Sequence, residues 1–288
     1  MTIKNILESK KVSFSLEIFP PKKGTALSGA KTLIKDLAQL NPSYMSVTYG
    51  SSGDNSDNTI EMAKEVQCEN GITALAHLTC VSSDKQKVRD VLDGLKGCEI
   101  ENVLALRGDI PEGLSFPFPG GYRYASDLIK EIREMSCFCV GGACYPEGHP
   151  ESKSVDEDID NVKKKVDSGC QFLTTQMFFD NNILYNYMYK LLSRGISVPI
   201  VAGIMPITNV KQCERICGIN GTALPQNFRA IISRFSEDPI SLKQAGIAYA
   251  TSQIVDLLAN GFKNIHLYTM NKPDVAIRIK ENISSMLD

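Results

Sequence analysis

Eight short segments rich in β-branched and aromatic residues recur along the chain, and their number constrains the fold more than any other feature. They are Val12–Phe19, Tyr44–Tyr49, Thr73–Thr79, Asn102–Arg107, Phe138–Ala143, Phe172–Met177, Pro199–Met205 and Asn264–Thr269. Most follow one another at roughly thirty residues, the spacing of a strand, a crossover helix and the next parallel strand. The alternation predicts a parallel sheet with helices on its outside.

The segments between these strands carry helix signals. Ile34 and Leu37 belong to an apolar stripe at helical spacing, and Ser154 with Glu157 forms a capping-box pattern ahead of another stripe. The last connection is longer, roughly residues 212–261, and includes a helical stretch at Ile240–Leu258. It is interpreted as an elaboration of the same fold.

Eight strands fit a closed (β/α)8 barrel, the TIM barrel of the α/β class, better than an open doubly wound sheet. Open sheets usually have fewer strands and often carry a nucleotide fingerprint, and neither GxGxxG nor GxxxxGK[ST] occurs here. We therefore expect one domain over residues 1–288, with extra helices between strands seven and eight.

Composition argues against two kinds of partner. The 31 basic and 33 acidic residues give a net charge of -2, without the basic surface that nucleic-acid binding requires. The N-terminal residues lack the apolar core of a signal peptide, and no later apolar run is long enough to span a bilayer. We expect a cytoplasmic protein that binds neither nucleic acid nor membrane.

Nine cysteines occur without a CxxC pair. An odd number in a chain without a signal peptide argues against a disulfide framework, so most should be reduced and buried. Cys137, Cys139 and Cys144 lie close in sequence, but their spacing matches no recognised metal-ligand set. Core packing is the favoured interpretation, and no metal site is expected.

Catalytic residues of such a barrel lie where strands end, so polar residues there are the candidates. Glu17 shares one face of the first strand with Ser13 and Ser15 and should point into the barrel. A buried carboxyl holds its proton more readily, which suits a general acid. The alternative is a buried carboxylate with a structural basic partner.

The fourth strand ends in Arg107, Gly108 and Asp109, which places a carboxylate at the mouth. Such a group could bind an amidine-like ring edge or stabilise a developing cation. A surface ion pair between Arg107 and Asp109 is the structural alternative, and an adhesive RGD tripeptide would be a chance match.

Uncharged donors and histidines complete the predicted mouth. Thr48 ends the second strand, His77 lies in the third, His149 follows the fifth and Gln176 ends the sixth. A lone histidine is more often a hydrogen-bonded structural residue than a catalyst, and no Ser/His/acid triad is visible. These residues alone do not identify a substrate.

Eight strings in the order of the predicted strands resemble the methylenetetrahydrofolate reductase family across nearly the whole chain. They are SFSLEIFPPK, SVTYGSSG, AHLTC, LALRGD, ACYPEGHPES, FLTTQMFFD, AGIMPI and IHLYTMNK. The chain ends at Asp288, without the regulatory extension of animal members, and so looks like the short bacterial form.

The resemblance implies an enzyme of one-carbon metabolism and methionine supply. FAD in the barrel mouth would take hydride from NADH or NADPH, release the nicotinamide, and reduce methylenetetrahydrofolate bound in the same place. Glu17 matches the general acid that opens the folate ring, and Asp109 matches the acid that stabilises the cationic intermediate. The flavin-binding positions match Thr48, His77, Arg107, Gly108, Asp109, Tyr124, Ala125, Ala143, Tyr145, His149, Asp158, Asn161, Lys164 and Lys165.

Folate contacts carried over are Asp109, Gln176, Gln212 and Lys272. Lys272 stands where many members have arginine, which removes a bidentate contact to a folate carboxylate. Ile216 stands where some relatives place phenylalanine against the aminobenzoyl ring. Cys170 replaces a small alanine and is expected to be a packing variation.

Two other interpretations remain from the sequence. One is a folate-binding barrel enzyme without redox chemistry, a lyase or transferase, which would bind pterin and no flavin. The other is an inactive binding subunit, against which the retention of Glu17, Asp109 and Gln176 argues. We expect a homo-oligomer, and an iron-sulfur partner subunit if the source is an anaerobe.

Overall fold

A computed structural model describes residues 1–9, 11–21, 27–49, 56–110, 113, 116–135 and 138–287. Eight parallel strands pair in sequence order and close into a barrel. They are β1 Ser13–Ile18, β2 Met45–Val47, β3 Ala74–Thr79, β4 Asn102–Leu106, β5 Cys139–Cys144, β6 Phe172–Thr175, β7 Ile200–Ile204 and β8 Asn264–Tyr268. The predicted TIM barrel is confirmed, with strands mostly shorter than predicted.

Helices surround the barrel. They are α1 Ile3–Glu8, α2 Ser28–Ala38, α3 Ser56–Lys64, α4 Lys85–Gly97, α5 Ala125–Met135, α6 Val155–Asp167, α7 Asn181–Ser193, α8 Val210–Asn220, α9 Gln226–Arg234, α10 Pro239–Ala259 and α11 Pro273–Ile283. A π-helical turn, Glu65–Glu69, continues α3, and a 3-10 turn, Ser284–Met286, follows α11. Helices α8 to α10 are the predicted insert between β7 and β8.

The short helix α1, which the sequence did not predict, closes the amino end of the barrel. Its Ile3 and Leu7 are buried against Leu104 and Phe172, which point into the barrel. The Ile3 amide donates to Asn102 Oδ1 at 2.8 Å, at the start of β4. Because this end is filled with apolar side chains, a ligand can enter only at the opposite, carboxyl end.

Two glycines allow close packing of the barrel. A Cβ on Gly141 in β5 would lie 2.3 Å from the ring of Phe172, so the aromatic side chain fills the barrel only because residue 141 has no side chain. A Cβ on Gly246 in α10 would lie 1.7 Å from the Ile207 carbonyl oxygen. Gly246 therefore lets the insert pack directly on the loop after β7.

The insert adds a second apolar cluster beside the carboxyl end. Its buried members are Met177, Phe179, Met205, Ile207, Cys213, Phe228, Ile232 and Leu242. Ile216 is half-buried against this cluster, so the position that some relatives give to phenylalanine is apolar here too. The cluster fixes α8 next to the ends of β6 and β7.

The cysteines mostly pack as expected. Cys139, Cys144 and Cys170 are buried, and Cys170 Sγ donates to the Phe172 carbonyl oxygen at 3.0 Å, consistent with a packing variation. Cys137, and the parts of two resemblance strings at residues 22 and 50–53, lie outside the described residues. In the described part of the chain, no helix is both long and apolar enough to cross a membrane.

Candidate active site

A cavity of about 610 Å³ opens at the carboxyl end of the barrel. Its walls are the ends of β2 to β5, the start of α5 and one face of α6. Every residue that the resemblance assigns to flavin binding lines it, from Thr48 directly after β2 to Lys165 on α6. The volume lies in the range of pockets that hold organic ligands.

Three polar atoms in the cavity wall are buried without a hydrogen-bond partner among the described residues. They are His77 Nε2, Thr79 Oγ1 and Asp158 Oδ2. A buried polar atom without a partner costs free energy, and native proteins rarely leave several together. The wall is therefore suited to a ligand that supplies polar groups of its own.

Histidine protonation follows from this burial. Burial is the main cause that lowers the pKa of His77 to about 4, so its ring is neutral at physiological pH. Burial also lowers the pKa of His149, whose Nδ1 accepts from the Glu151 amide at 3.1 Å. The His149 ring also meets the Tyr145 ring edge-on at a centroid distance of 4.6 Å.

Helix α6 provides cations to the far wall of the cavity. Lys164 Nζ donates to Asn161 Oδ1 at 2.9 Å, and Lys165 Nζ donates to the Ala143 carbonyl oxygen at 2.8 Å. Both hydrogen bonds go to neutral acceptors, and among the described residues neither ammonium group forms a salt bridge, so both can contribute charge-assisted hydrogen bonds to an anion. Lys163, by contrast, forms an ion pair with Asp167.

Asp158 adds a carboxyl to the same wall. Burial raises its pKa, and Lys165 is the strongest opposing influence. Burial in turn lowers the pKa of Lys165, with Asp158 opposing. The two side chains therefore stabilise each other's charged forms beside the cavity.

At the end of β4, the structure does not form the ion pair between Arg107 and Asp109 that was the structural alternative. Arg107 forms a bidentate contact with Glu151, at 2.7 Å between Nη2 and Oε1, and not with Asp109. Asp109 is exposed at the mouth. Gly108 has a φ of 88°, and a Cβ there would approach Val81 Cγ1 to 2.9 Å. This glycine lets the backbone turn sharply between the paired arginine and the exposed carboxylate of Asp109.

Tyr124 and Ala125 form the entrance to the cavity at the start of α5. Ala125 is buried, whereas the Tyr124 side chain is 52% exposed. The guanidinium of Arg123 lies 5.4 Å from the centre of the Tyr124 ring. An exposed aromatic ring at a cavity mouth offers a stacking surface to a planar ligand.

Glu17 points into the barrel, as the alternation along β1 predicts. Its side chain is 18% exposed, and its Oε2 lies 3.8 Å from both His77 Nε2 and His266 Nε2. The structural alternative for Glu17 was a buried carboxylate paired with a basic residue. Among the described residues only these two imidazoles lie close enough to be that partner, and the His77 ring is neutral. The carboxyl is thus held between two rings and not in a lysine or arginine salt bridge.

The three remaining folate candidates lie outside the cavity lining, on the side of the insert. Gln176 Nε2 donates to Asn220 Oδ1 of α8 at 3.0 Å, and Gln212 lies on the same helix. Lys272 Nζ donates to Thr208 Oγ1 at 2.6 Å, and burial lowers its pKa. These residues form a neighbouring polar surface around α8.

Sequence reasoning missed at least three residues of the site, Thr79, Glu151 and His266. Glu151 pairs with Arg107, and His266 on β8 contacts Ser15 and approaches Glu17. His266 alternates with Asn264 and Tyr268 on the inward face of β8, so a search of all inward strand positions would have found it. No local pattern identifies Glu151, because its partner lies 44 positions away.

Comparisons with known proteins show which family the chain belongs to. The model of the family described as methylenetetrahydrofolate reductase matches residues 2–284. The chain is 32% identical to the 5,10-methylenetetrahydrofolate reductase of Escherichia coli (strain K12) over 268 residues, covering 93% of this chain and 89% of that protein. It is 33% identical over 294 residues to methylenetetrahydrofolate reductase (NADH) 1 of Arabidopsis thaliana, covering 98% of this chain. It spans 50% of the plant protein's length.

Solved structures with little sequence similarity share the fold alone. A 2,3-dimethylmalate lyase matches with a TM-score of 0.55 at 8% identity, covering 99% of this chain and 84% of that one. A putative dihydrodipicolinate synthetase from Pseudomonas aeruginosa matches with a TM-score of 0.50 at 12% identity, covering 96% and 80%. By contrast, the family model matches almost the whole chain and the bacterial relative is 32% identical over most of its length. The chain therefore belongs to the methylenetetrahydrofolate reductase family.

Proposed function

We propose that the protein reduces 5,10-methylenetetrahydrofolate to 5-methyltetrahydrofolate with FAD and a reduced nicotinamide, in one-carbon metabolism and methionine supply. Nicotinamide and folate would use one site in turn, in a ping-pong sequence. The observation that carries the proposal is that every residue that family resemblance assigns to the flavin lines one and the same cavity. Those residues come from the ends of four strands and from two helices, so their convergence does not follow from sequence proximity.

The residues of the cavity fit a flavin dinucleotide. The buried His77 Nε2, Thr79 Oγ1 and Asp158 Oδ2 would bind polar groups of the ligand, and Lys164 and Lys165 would bind its diphosphate. Bound there, FAD would supply the hydride chemistry that amino-acid side chains lack. Arg107 would act through its pairing with Glu151, which fixes the end of β4.

Substrate chemistry is proposed for the carboxyl groups. Glu17 would donate a proton to the folate nitrogen N10, opening the five-membered ring and leaving an iminium carbon that accepts hydride. Asp109 at the mouth would stabilise the positive charge of that iminium form. Gln176, Gln212 and Lys272 would orient the pterin and the glutamate tail from the side of α8.

The first experiment is an anaerobic absorbance spectrum of the protein with FAD, recorded before and after NADH or NADPH and then after methylenetetrahydrofolate. We expect the flavin to bleach with nicotinamide and to regain its colour with folate. Titrating the two nicotinamides separately gives the donor preference, for which the plant relative is named as an NADH enzyme. Failure to bind flavin would overturn the proposal and leave the folate-binding lyase or transferase as the better account.

Replacing Glu17 by glutamine tests the assignment of the acid. Glutamine keeps the shape and cannot donate a proton, so folate reduction should fall by about a hundredfold or more, the usual contribution of general acid catalysis. Flavin reduction by nicotinamide needs no proton from Glu17 and should stay within about twofold of wild type in stopped-flow traces. Equal loss of both half-reactions would contradict the assignment.

A further inference from the structure

A buried polar network lies beneath Glu17, centred on His266. This histidine is 2% exposed and pairs in register with Ser15 of the neighbouring strand. Its Nδ1 lies 2.7 Å from Ser15 Oγ, and its Nε2 lies 3.3 Å from Ser46 Oγ and 3.8 Å from Glu17 Oε2. The ring therefore joins β1, β2 and β8 directly below the proposed acid.

Two aromatic rings fix the orientation of His266. Tyr44 stacks on it with a centroid distance of 6.0 Å and an interplanar angle of 12°, and Tyr268 meets it edge-on at 5.3 Å. The Tyr268 hydroxyl donates to the Thr175 carbonyl oxygen at 2.6 Å, which fixes that ring in turn. His266 cannot turn its Nε2 away from Glu17 without disturbing this packing.

The hydrogen bonds assign the tautomer of His266. The Ser15 hydroxyl has one proton, and it lies 3.1 Å from the Ile265 carbonyl oxygen as well as 2.7 Å from Nδ1. A carbonyl oxygen can only accept, so both contacts form together only when Ser15 donates to Ile265 and Nδ1–H donates to Ser15. In the neutral ring, Nε2 then carries a lone pair that faces Ser46 and Glu17.

Other titratable groups around Glu17 are less suited to exchange a proton with it. Burial lowers the pKa of His77 to about 4, so its ring holds no additional proton near neutral pH. Burial raises the pKa of Tyr44 and of Tyr268, so both phenols keep their protons. His266 differs from these groups because a hydrogen bond at Nδ1 holds its ring, so that its Nε2 stays directed at Ser46 and Glu17.

We propose that His266 is a positioning residue that restores the proton of Glu17 through Nε2, an inference that rests on the proposed function. In each turnover the Glu17 O–H bond breaks, its proton moves to N10, and the C–N bond of the folate ring breaks with its electron pair kept on N10. The Glu17 carboxylate then regains a proton from the protonated His266. Solvent water returns a proton to His266 Nε2 past the partly exposed Glu17 side chain once the product has left. One solvent proton enters per turnover, which balances the hydride added to carbon.

Two substitutions remove the proton exchange and keep part of the hydrogen bonding. In His266→Gln the side-chain amide takes the place of Nε2, and in His266→Asn it takes the place of Nδ1. Neither amide can take up or release a proton in the physiological pH range. We expect folate reduction to slow at least tenfold in both, less than the loss of the acid itself would cause. The rate of folate reduction should also begin to fall at a lower pH than in wild type, because Glu17 no longer receives a proton from the imidazole. Flavin reduction by nicotinamide should stay within twofold.

Ser13→Ala is the matched control, because Ser13 Oγ is a buried hydroxyl on the same face of β1 without a described partner. It should leave both half-reactions and the pH profile unchanged. A wild-type folate rate and pH profile in both His266 variants would overturn the inference and leave the proposed function intact. Equal slowing of both half-reactions, or loss of flavin binding in both variants, would show a purely structural role and overturn it as well. Absence of flavin reduction in the wild type would instead overturn the proposed function.

Discussion

At the scale of single residues, His77 shows how a binding site reduces stability. Its Nε2 is buried without a described hydrogen-bond partner, and burial, assisted by nearby His266, lowers its pKa from 6.5 to about 4 against the opposing effect of Glu17. Between these two pH values the unfolded chain binds a proton that the folded chain does not. The free energy of unfolding therefore decreases as pH falls through this window and levels off below about pH 4.

We predict that this residue makes the flavin-free protein sensitive to mild acid. Between pH 7 and pH 5 the wild type should lose roughly 2 kcal/mol more stability than His77→Gln, which has no proton to bind in either state. Urea unfolding at constant ionic strength measures the difference, and the titration of all other groups largely cancels between the two proteins. The same loss in both proteins would show that His77 titrates normally in the folded state.

Single residues also mark the limit of what the sequence predicts. Strand alternation was sufficient to place Glu17 inside the barrel, because the side-chain period of a strand is fixed. The partners of such residues depend on which strands become neighbours when the barrel closes. Ser15 meets His266 across 251 positions, and Arg107 meets Glu151 across 44, so neither contact has a local signature. The resemblance supplied positions, and the structure supplied their contacts.

At the scale of elements, α6 combines strong local signals with the far wall of the cavity. Ser154 Oγ accepts from the Glu157 amide at 3.2 Å, and Glu157 Oε2 accepts from the Lys153 amide at 2.6 Å. Acidic residues occupy the first turn of α6, and Lys164 and Lys165 occupy its last turn, which is the arrangement that the helix dipole favours. This helix was predictable, whereas α1, with six residues and no side-chain cap, carries almost no local signal and was missed.

We predict that the cap of α6 supports ligand binding as well as stability. Ser154→Ala should cost about 1 kcal/mol in urea unfolding and also weaken FAD binding, because Asp158, Lys164 and Lys165 move with the helix. Asp84→Ala is the matched control: Asp84 Oδ1 accepts from the Lys87 amide at 2.8 Å and caps α4, which contributes no residue to the cavity. It should cost similar stability and leave FAD affinity unchanged. Equal effects of both variants on FAD affinity would contradict the prediction.

At the scale of the whole molecule, the barrel has two unlike ends. The amino end is filled by α1 and the apolar residues beneath it. The carboxyl end keeps a cavity of about 610 Å³, whose wall has buried polar atoms without a partner among the described residues and two lysines bonded to neutral acceptors. A ligand that binds only the folded chain stabilises it by mass action, by about 2.7 kcal/mol at a hundredfold excess over Kd. Stability and ligand binding should therefore be linked at one end of the molecule only.

We predict that FAD at a hundredfold excess over its Kd raises the melting temperature by roughly 5 to 10 °C, given about 2 to 4 °C per kcal/mol for chains of nearly this size. Hydrogen exchange should slow around the ends of β3 to β5 and in α6, and stay unchanged in α1.

The contribution of the lysines can be tested with riboflavin, which lacks the diphosphate, so that its affinity reports binding of the flavin ring alone. Lys164→Gln should weaken FAD binding without affecting riboflavin, whereas Lys163→Gln should change neither, because Lys163 is paired with Asp167 and does not line the cavity. If both lysine variants weakened FAD equally, the attraction would come from the net charge of the helix, and the specific role of Lys164 at the diphosphate would be wrong.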